Sequence, residues 1–278
     1  MIVSFHPMIV APVNRLCAGR DPGPEELAAI RGATAVILPQ ACRETLYRMA
    51  RDNAPLVFPN YDARFAWPGK LGQVRMFRET GLPCPKSVGF FSVEEYRAAE
   101  REGSPRLPDF PVVFKFDWGG EGETVFFVED RTGLDAMMER ARQCEASGMF
   151  GFLVQEYVPH GGRCLRVVVM HDSLRAYCRV AEDQQVVSAG RGAEVVFDVE
   201  PAVRDAGFAV VRELCRATGI DLAGVDLLYP EVDAAATGPQ LIEVNYFFGR
   251  RGLGGSDRYY ELLENAVDRW LAGHGLSR

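Results

Sequence analysis

The sequence predicts an α/β chain built in two styles: a small parallel α/β domain at the N-terminus, then β-rich α+β segments with antiparallel hairpins. Three observations carry this. Short β-rich runs alternate with runs of helical spacing over residues 1–60, as in a parallel sheet with crossover helices. A proline-fixed connector, GLPCPKS, follows a short helix and closes that region near residue 85. Beyond it, strands come in pairs about glycine-rich or polar turns, the pattern of antiparallel hairpins.

Taken in order, MIVSF, ATAVILPQ and LVFP are the three β-rich runs of the first domain. PEELAAIRG and CRETLYRMARDNA have helical spacing between them. FPNYDARFAWPGK reads as a loop, broken at Pro59 and Pro68, and LGQVRMFRETG as the helix before the connector. SVGFF and SVEEYRAAEREG then predict a strand and a helix starting near Ser92. PVVFKFDWGGEGETVFFVED gives two strands around a glycine-rich turn, and RTGLDAMMERARQCEASG a helix. FLVQEYV is a strand ending at Pro159, while RCLRVVVM and LRAYCRV form a hairpin across HDS. RDAGFAVVRELCRATG is an amphipathic helix with apolar residues at 208, 210, 211, 214 and 215. AGVDLLYP and PQLIEV are strands. In the closing helix Tyr259, Leu262, Leu263, Ala266, Val267 and Trp270 form one stripe.

Composition narrows the function classes. The chain has 278 residues, 47% hydrophobic and 25% charged, enough for one large core or two to three small ones. No apolar run approaches the roughly 18 residues of a membrane helix. The first apolar stretch lacks a basic region before it, so no secretory signal is read. Seven cysteines at 17, 42, 84, 144, 164, 178 and 215 include no CxxC pair. That argues against zinc and for a reducing cytoplasm. A net charge of −7 argues against a general nucleic-acid binder.

Two strands near the C-terminus hold polar residues where burial is expected. AGVDLLYP places Asp226 among apolar residues, and LIEVN places Glu243 and Asn245 two apart, on one face of the next strand. If the strands pair, three oxygen donors converge, a set suited to Mg²⁺. A buried polar network in which an arginine meets Glu243 fits the same residues. Lys115 precedes a turn containing Gly119, Gly120 and Gly122, whose backbone N–H groups can approach an anion closely. The turn is neither a P-loop nor a GxGxxG opening a helix. In FLVQEYV, backbone groups at Gln155 and Val158 can meet a flat base, or the run is simply a core strand. Arg166, Arg179, Arg191, Arg250 and Arg251 offer planar forks for carboxylate or phosphate, the last three flanked by glycine. Adjacency of His171, Asp172 and Ser173 does not make a catalytic triad.

The order of these pieces resembles the ATP-grasp superfamily, within it the branch of glutathione synthetase and the ribosomal-protein glutamate ligases. That order is Lys70 before a helix, GLPCPKS, PVVFK with its glycine turn, QEYV, RxVVV, AGVD and IEVN. The resemblance implies an N-terminal domain and linker over residues 1–85. It implies a two-subdomain ATP-grasp fold after it: a central subdomain over 86–152 and a C-terminal one with the metal site over 153–278. It implies ATP and Mg²⁺ (or Mn²⁺), with Lys70 and Lys115 on the phosphates and Gly119, Gly120 and Gly122 closing over them. It also implies an adenine hinge at Gln155, Glu156, Tyr157 and Val158, and metal ligands Asp226, Glu243 and Asn245. Arg166, Arg179 and Arg191 fall where such enzymes hold the acceptor carboxylate or acyl phosphate, with Arg191 at the oxyanion.

Three positions depart from that pattern. Cys164 stands where an acidic residue meets the ribose, Glu123 replaces the last loop glycine, and YPEVDAAATGPQ is a longer insert. The implied activity is an ADP-forming carboxylate–amine ligase acting through an acyl phosphate, on small-molecule or peptide substrates, without nucleic acid or membrane. A homodimer is the expectation by analogy. A non-catalytic ATP-binding protein and a small-molecule kinase are the alternatives on the same fold.

Overall fold

The computed structural model describes residues 1–40, 42–120, 122–181, 185–187, 192–230 and 238–278. It is a mixed α/β structure with one parallel and two antiparallel sheets. The first sheet contains β1 (Ile2–Ser4), β2 (Val13–Asn14), β3 (Ala35–Ile37) and β4 (Leu56–Phe58), in the order β2-β1-β3-β4, all parallel. Between its strands run α1 (Pro24–Arg31) and α2 (Glu44–Asn53), followed by α3 (Asp62–Ala66) and α4 (Gly69–Glu79).

The second sheet holds β5 (Ser87–Phe90), β6 (Val112–Phe116), β7 (Val125–Val128) and β8 (Phe152–Glu156), ordered β5-β8-β6-β7 and antiparallel throughout. α5 (Val93–Glu102) and α6 (Arg131–Ala146) cover one face. Their starts follow from capping: Ser92 Oγ accepts from the Glu95 amide at 3.2 Å, and Asp130 Oδ1 from the Gly133 amide at 2.8 Å. The third sheet, β11-β10-β9-β12-β13, is also antiparallel. Its strands are β9 (Arg163–Met170), β10 (Ser173–Val180), β11 (Glu194–Val196), β12 (Leu222–Leu228) and β13 (Gln240–Asn245). α7 (Pro201–Thr218), a 3-10 turn at Arg251–Leu253 and α8 (Ser256–Gly273) complete the described elements.

Alternation along β9 explains how the sheets assemble. Leu165, Val167 and Val169 point to one face, which packs with Ala223, Val225, Leu227, Leu241 and Val244 against Val211 and Leu214 of α7 and Met76 and Phe77 of α4. Val168 and Met170 point to the other, where they meet Ile2, Ala35, Ile37 and Phe58 of the parallel sheet and the α8 stripe Tyr259, Leu263, Ala266, Val267 and Trp270. Arg166 shares that second face but lies beyond the apolar contact. A face that is core at one end is therefore open to a cavity at the other.

The loop expected over 58–70 contains α3, fitted between Pro59 and Pro68, and α4 begins at Gly69 rather than after Lys70. The short strands β2 and β11 were not expected from the sequence. No helix among the described residues is long and apolar enough to cross a membrane.

Asp221 joins the parallel sheet to the third one. Its Oδ1 accepts from the Asn60 amide at 2.8 Å, and its carbonyl from the His171 amide at 2.6 Å. Burial pushes its carboxyl up to about 7, against the opposing pull of the Asn60 amide. A carboxyl raised on folding stabilises most below its unfolded value, and that contribution is lost as pH rises towards the folded one. Asp221→Asn, neutral at every pH, should match the wild type in Tm near pH 4. It should gain several degrees on it by pH 7 and hold that margin above. A Tm difference independent of pH would count against this account.

Candidate functional site

A cavity of about 420 Å³ lies between the second and third sheets. Register decides which side chains reach it. Val113 pairs with Gln155, and Lys115 with Leu153 and Val125, so Val113, Lys115, Val125 and Gln155 line the cavity while Val112, Phe114 and Phe116 go to the core. On the opposite wall Tyr177 pairs with Arg166, Arg166 with Asp226, and Asp226 with Glu243. Regular pairing of Gly224 with Asn245 and Asp226 with Glu243 puts all four on one face, and a bulge after Asp226 sets Leu241 opposite Leu227.

The lining brings together Lys70, Lys115, Gly120, Gly122, Gln155, Glu156, Tyr157, Val158, Arg166, Arg179, Asp226, Glu243 and Asn245, all singled out in the sequence. Gly119 is not part of it, and Arg191 lies outside the described residues. Arg250 and Arg251 line it too. Glu123 is exposed away from the cavity, and Cys164 is buried with Sγ directed at the Leu165 carbonyl.

The described lining carries six cationic side chains and three acidic ones, on a chain whose net charge is −7. The two most buried cations are held differently. Arg166, 3% exposed, grips Asp226 through both nitrogens of its fork: Nε donates to Oδ1, and Nη2 to Oδ2 at 2.6 Å. Arg179 Nη1 adds a contact to Oδ2 at 3.4 Å. The arginines hold the Asp226 carboxyl below the usual carboxylate range, although burial alone pushes it up. The side chain of Lys115, a residue 9% exposed, has no hydrogen bond or ion pair among the described residues. Burial pushes its ammonium down to about 8; Glu243 opposes that shift and Lys70 adds to it.

Local contacts place the glycine turn. Lys70 Nζ donates to the carbonyls of Trp118 and Gly119 at 3.4 and 3.3 Å, and Thr124 Oγ1 to that of Trp118 at 2.7 Å. Gly119 has φ +81, and a Cβ there would stand 2.5 Å from Thr124 Cγ2. Asp117 Oδ1 accepts from the Leu71 amide at 2.8 Å, tying the turn to the start of α4. Gly69, at φ +67, lets the same carboxylate approach; a Cβ would stand 2.5 Å from Oδ1.

Gln73, three residues beyond Lys70, was not picked out from the sequence. Its amide donates to the Val244 carbonyl and accepts from the Val244 amide, both at 2.8 Å. Its spacing on the helix face of Lys70 was the available signal. At the hinge, the Gln155 amide donates to Ser87 Oγ at 2.8 Å, and Glu156 Oε2 accepts from the Lys86 amide at 3.2 Å. The backbone of Val158 makes no hydrogen bond among the described residues.

For a divalent cation the acidic residues differ. Glu243 has no hydrogen-bond or ion-pair partner among the described residues. Asn245 donates from Nδ2 to Asp226 Oδ2 at 3.2 Å, which leaves its Oδ1 available. Asp226 has both oxygens engaged by arginine. No group of three or more His, Cys, Asp or Glu among the described residues is placed to hold a metal. Glu243 and Asn245 nevertheless fit Mg²⁺, which takes few protein oxygens and completes its shell with waters and phosphates. Asp226 Oδ2, by accepting from Asn245 Nδ2, orients that amide.

The RimK-like ATP-grasp domain matches residues 95–260, more than half of the chain, and the chain belongs to that family. No curated protein matches it in sequence. Among solved structures it is similar to a RimK domain protein ATP-grasp from Sphaerobacter thermophilus, at TM-score 0.63 and 18% identity, covering 96% of this chain and 98% of that one. It is also similar to D-alanine–D-alanine ligase from Bacillus anthracis, at TM-score 0.61 and 14% identity, covering 93% and 84%. A third is N5-carboxyaminoimidazole synthetase from Staphylococcus aureus, a complex with ADP. There the TM-score is 0.62 and identity 10%, with 90% of this chain and 65% of that one covered. At these identities the likeness is one of fold.

The two acids of the central row should answer differently to substitution. Asp226→Ala leaves the Arg166 guanidinium buried and unpaired, which should cost about 3–5 kcal/mol of stability. Glu243→Gln removes a partnerless carboxylate and should change stability by less than about 1 kcal/mol. Urea unfolding of the two variants checks this; equal midpoints would show that losing Asp226 does not strand the Arg166 charge.

Proposed function

We propose that this member of the RimK-like ATP-grasp family is an ATP-dependent, ADP-forming carboxylate–amine ligase. The single observation that carries the reading is Lys115, an ammonium buried in a cavity wall without a partner. A buried charge without a counter-charge is costly, so the site calls for an anion. Lys70, from a different element, and an excess of three positive charges among the described lining residues make a polyphosphate the fitting one.

In this mechanism Lys70 and Lys115 neutralise the phosphates, and backbone N–H groups of the glycine turn close against them. The stretch 155–158 takes the adenine, with the free backbone of Val158 as its hydrogen-bonding edge. Glu243 and Asn245 hold Mg²⁺, which supplies charge neutralisation as the phosphoryl group moves. The substrate carboxylate attacks the γ-phosphorus, ADP leaves, and an acyl phosphate forms. An amine then adds to the acyl carbon, and the tetrahedral adduct expels phosphate. Arg179 and Arg191 steady the charge on the acyl oxygen, Arg166 holding Asp226 behind them. Arg250 and Arg251 stand at the same cavity and favour a substrate bearing a carboxylate. The neighbours that are ligases, and the ADP in one of them, support this reading.

Asp226, with both oxygens on arginine, favours a second reading: a protein that binds ATP without turning it over. Calorimetry with MgATP, followed by ADP release against pools of amino acids and small peptides, separates the two. Hydroxylamine trapping in the productive pool should yield a hydroxamate; a stable phosphorylated product would instead indicate a kinase. Lys115→Met should bind MgATP at least tenfold more weakly, and unfold at higher urea than the wild type because an unpaired buried charge is gone. Glu243→Gln should stay folded and lose ADP release. Undiminished turnover in that variant would refute its place at the ion.

A further inference from the structure

A second cavity, of about 790 Å³, adjoins the first at Glu156 and Tyr157, which line both. Two segments wall it: 84–88, which leads into β5, and 106–111, which leads into β6. One strand pair separates the two cavities. Gln155 lines the first and donates to Ser87 Oγ at 2.8 Å, and Ser87 lines the second.

The acids of this second cavity are engaged and its cations are not. Glu156 Oε2 accepts from the Lys86 amide at 3.2 Å, and Asp109 pairs with Arg106 at 3.3 Å. Arg78, near the end of α4, and Lys86 have exposed side chains without a hydrogen bond or ion pair among the described residues. On a chain of net charge −7, the free charges of this groove are positive. Much of its remaining surface is apolar: Pro85, Leu107, Phe110 and Pro111 line it, and Phe110 is 40% exposed. Proline has no backbone N–H, so such walls offer few donors to an added strand. Recognition then falls to charge and apolar contact.

We infer that this groove docks a peptide segment in which acidic and apolar residues alternate. An extended chain turns successive side chains to opposite sides, so its carboxylates can meet the basic rim while its apolar residues cover Phe110 and the prolines. Arg78 and Lys86 belong to different elements and would engage separate carboxylates. A small anion on those two side chains would leave the apolar surface uncovered. The groove contains none of the lysines or metal-binding residues assigned to the ligase, so its occupancy is tested separately.

Fluorescence anisotropy with a labelled peptide of alternating Glu and Leu provides that test, with Lys–Leu and Glu–Ser counterparts. The wild type should bind the Glu–Leu peptide about tenfold more tightly than the Lys–Leu one, and more weakly as salt is raised, because exposed charges are screened. The Glu–Ser peptide should bind more weakly than Glu–Leu. The double variant Arg78→Gln, Lys86→Gln should bind Glu–Leu about tenfold more weakly than the wild type. It should keep the wild-type urea midpoint, since both side chains are exposed and unpaired. Lys115→Met, changed only in the first cavity, should bind that peptide as the wild type does. Equal binding of Glu–Leu and Lys–Leu, equal binding of Glu–Leu and Glu–Ser, undiminished binding in the double variant or lost binding in Lys115→Met would each overturn the inference. Binding of inorganic phosphate at Arg78 and Lys86 without binding of the peptide would identify a small-anion site and overturn it as well.

Discussion

The cavity wall depends on one register. Tyr177, Arg166, Asp226 and Glu243 stand in a row across β10, β9, β12 and β13 because antiparallel pairing sets them opposite each other. A slip of one residue would turn every one of them to the far face. What prevents the slip is apolar: Leu165, Val167, Val225, Leu227 and Val244 seal that far face against α7 and α4. The hydrophobic packing on one side therefore decides which charges meet on the other. The Arg166–Asp226 pair adds little net stability, because both groups leave water, but it fixes how the row is arranged.

Comparison of the buried cations separates structure from binding. Arg166 has a carboxylate, and its charge is cancelled within the sheet. Lys115 sits across the cavity with Glu243 as its electrostatic neighbour and no direct contact, and burial weakens its hold on the proton. A buried cation with no direct partner among the described residues is the kind of group that marks a functional site. The same contrast divides the acids. Asp226 is fully engaged and organises its neighbours, whereas Glu243 has an open carboxylate facing the cavity.

Much of this was legible in the sequence because alternation within long apolar strands reports a face. Lys115 in VVFKF, Asp226 in LAGVDLL and Glu243 with Asn245 in QLIEVN each break such a run, and each lines the cavity. The long helices were readable from their 3.6-residue stripes. β2 and β11 were not, since two or three residues hold too little pattern to register. Partner choice was also out of reach. Spacing showed that Asp226 would share a face with polar residues; it could not show that an arginine 60 positions away would take both its oxygens. Spacing alone allows an arginine at Glu243; the arginine meets Asp226 instead.

Gln73 shows how the two halves of the site keep their spacing. β13 is an edge strand of the third sheet, and an unpaired edge leaves backbone groups without partners. The Gln73 amide, 171 positions away in the chain, supplies Val244 with one donor and one acceptor, as a neighbouring strand would. Its helix starts beside the glycine turn, where Asp117 accepts from Leu71. Helix α4 is thus bonded at Leu71 to the turn and two residues later, at Gln73, to the strand that carries Glu243 and Asn245. Asparagine at position 73 would be too short by one methylene, and glutamate would oppose an acceptor to the Val244 carbonyl. The separation of Lys70 from Glu243 is set by two side chains, Asp117 and Gln73, each bonded to backbone of the element it joins. On the proposed ligase reading, a polyphosphate and an ion held in register would need that kind of support, which apolar packing of α4 on β13 would supply less directionally.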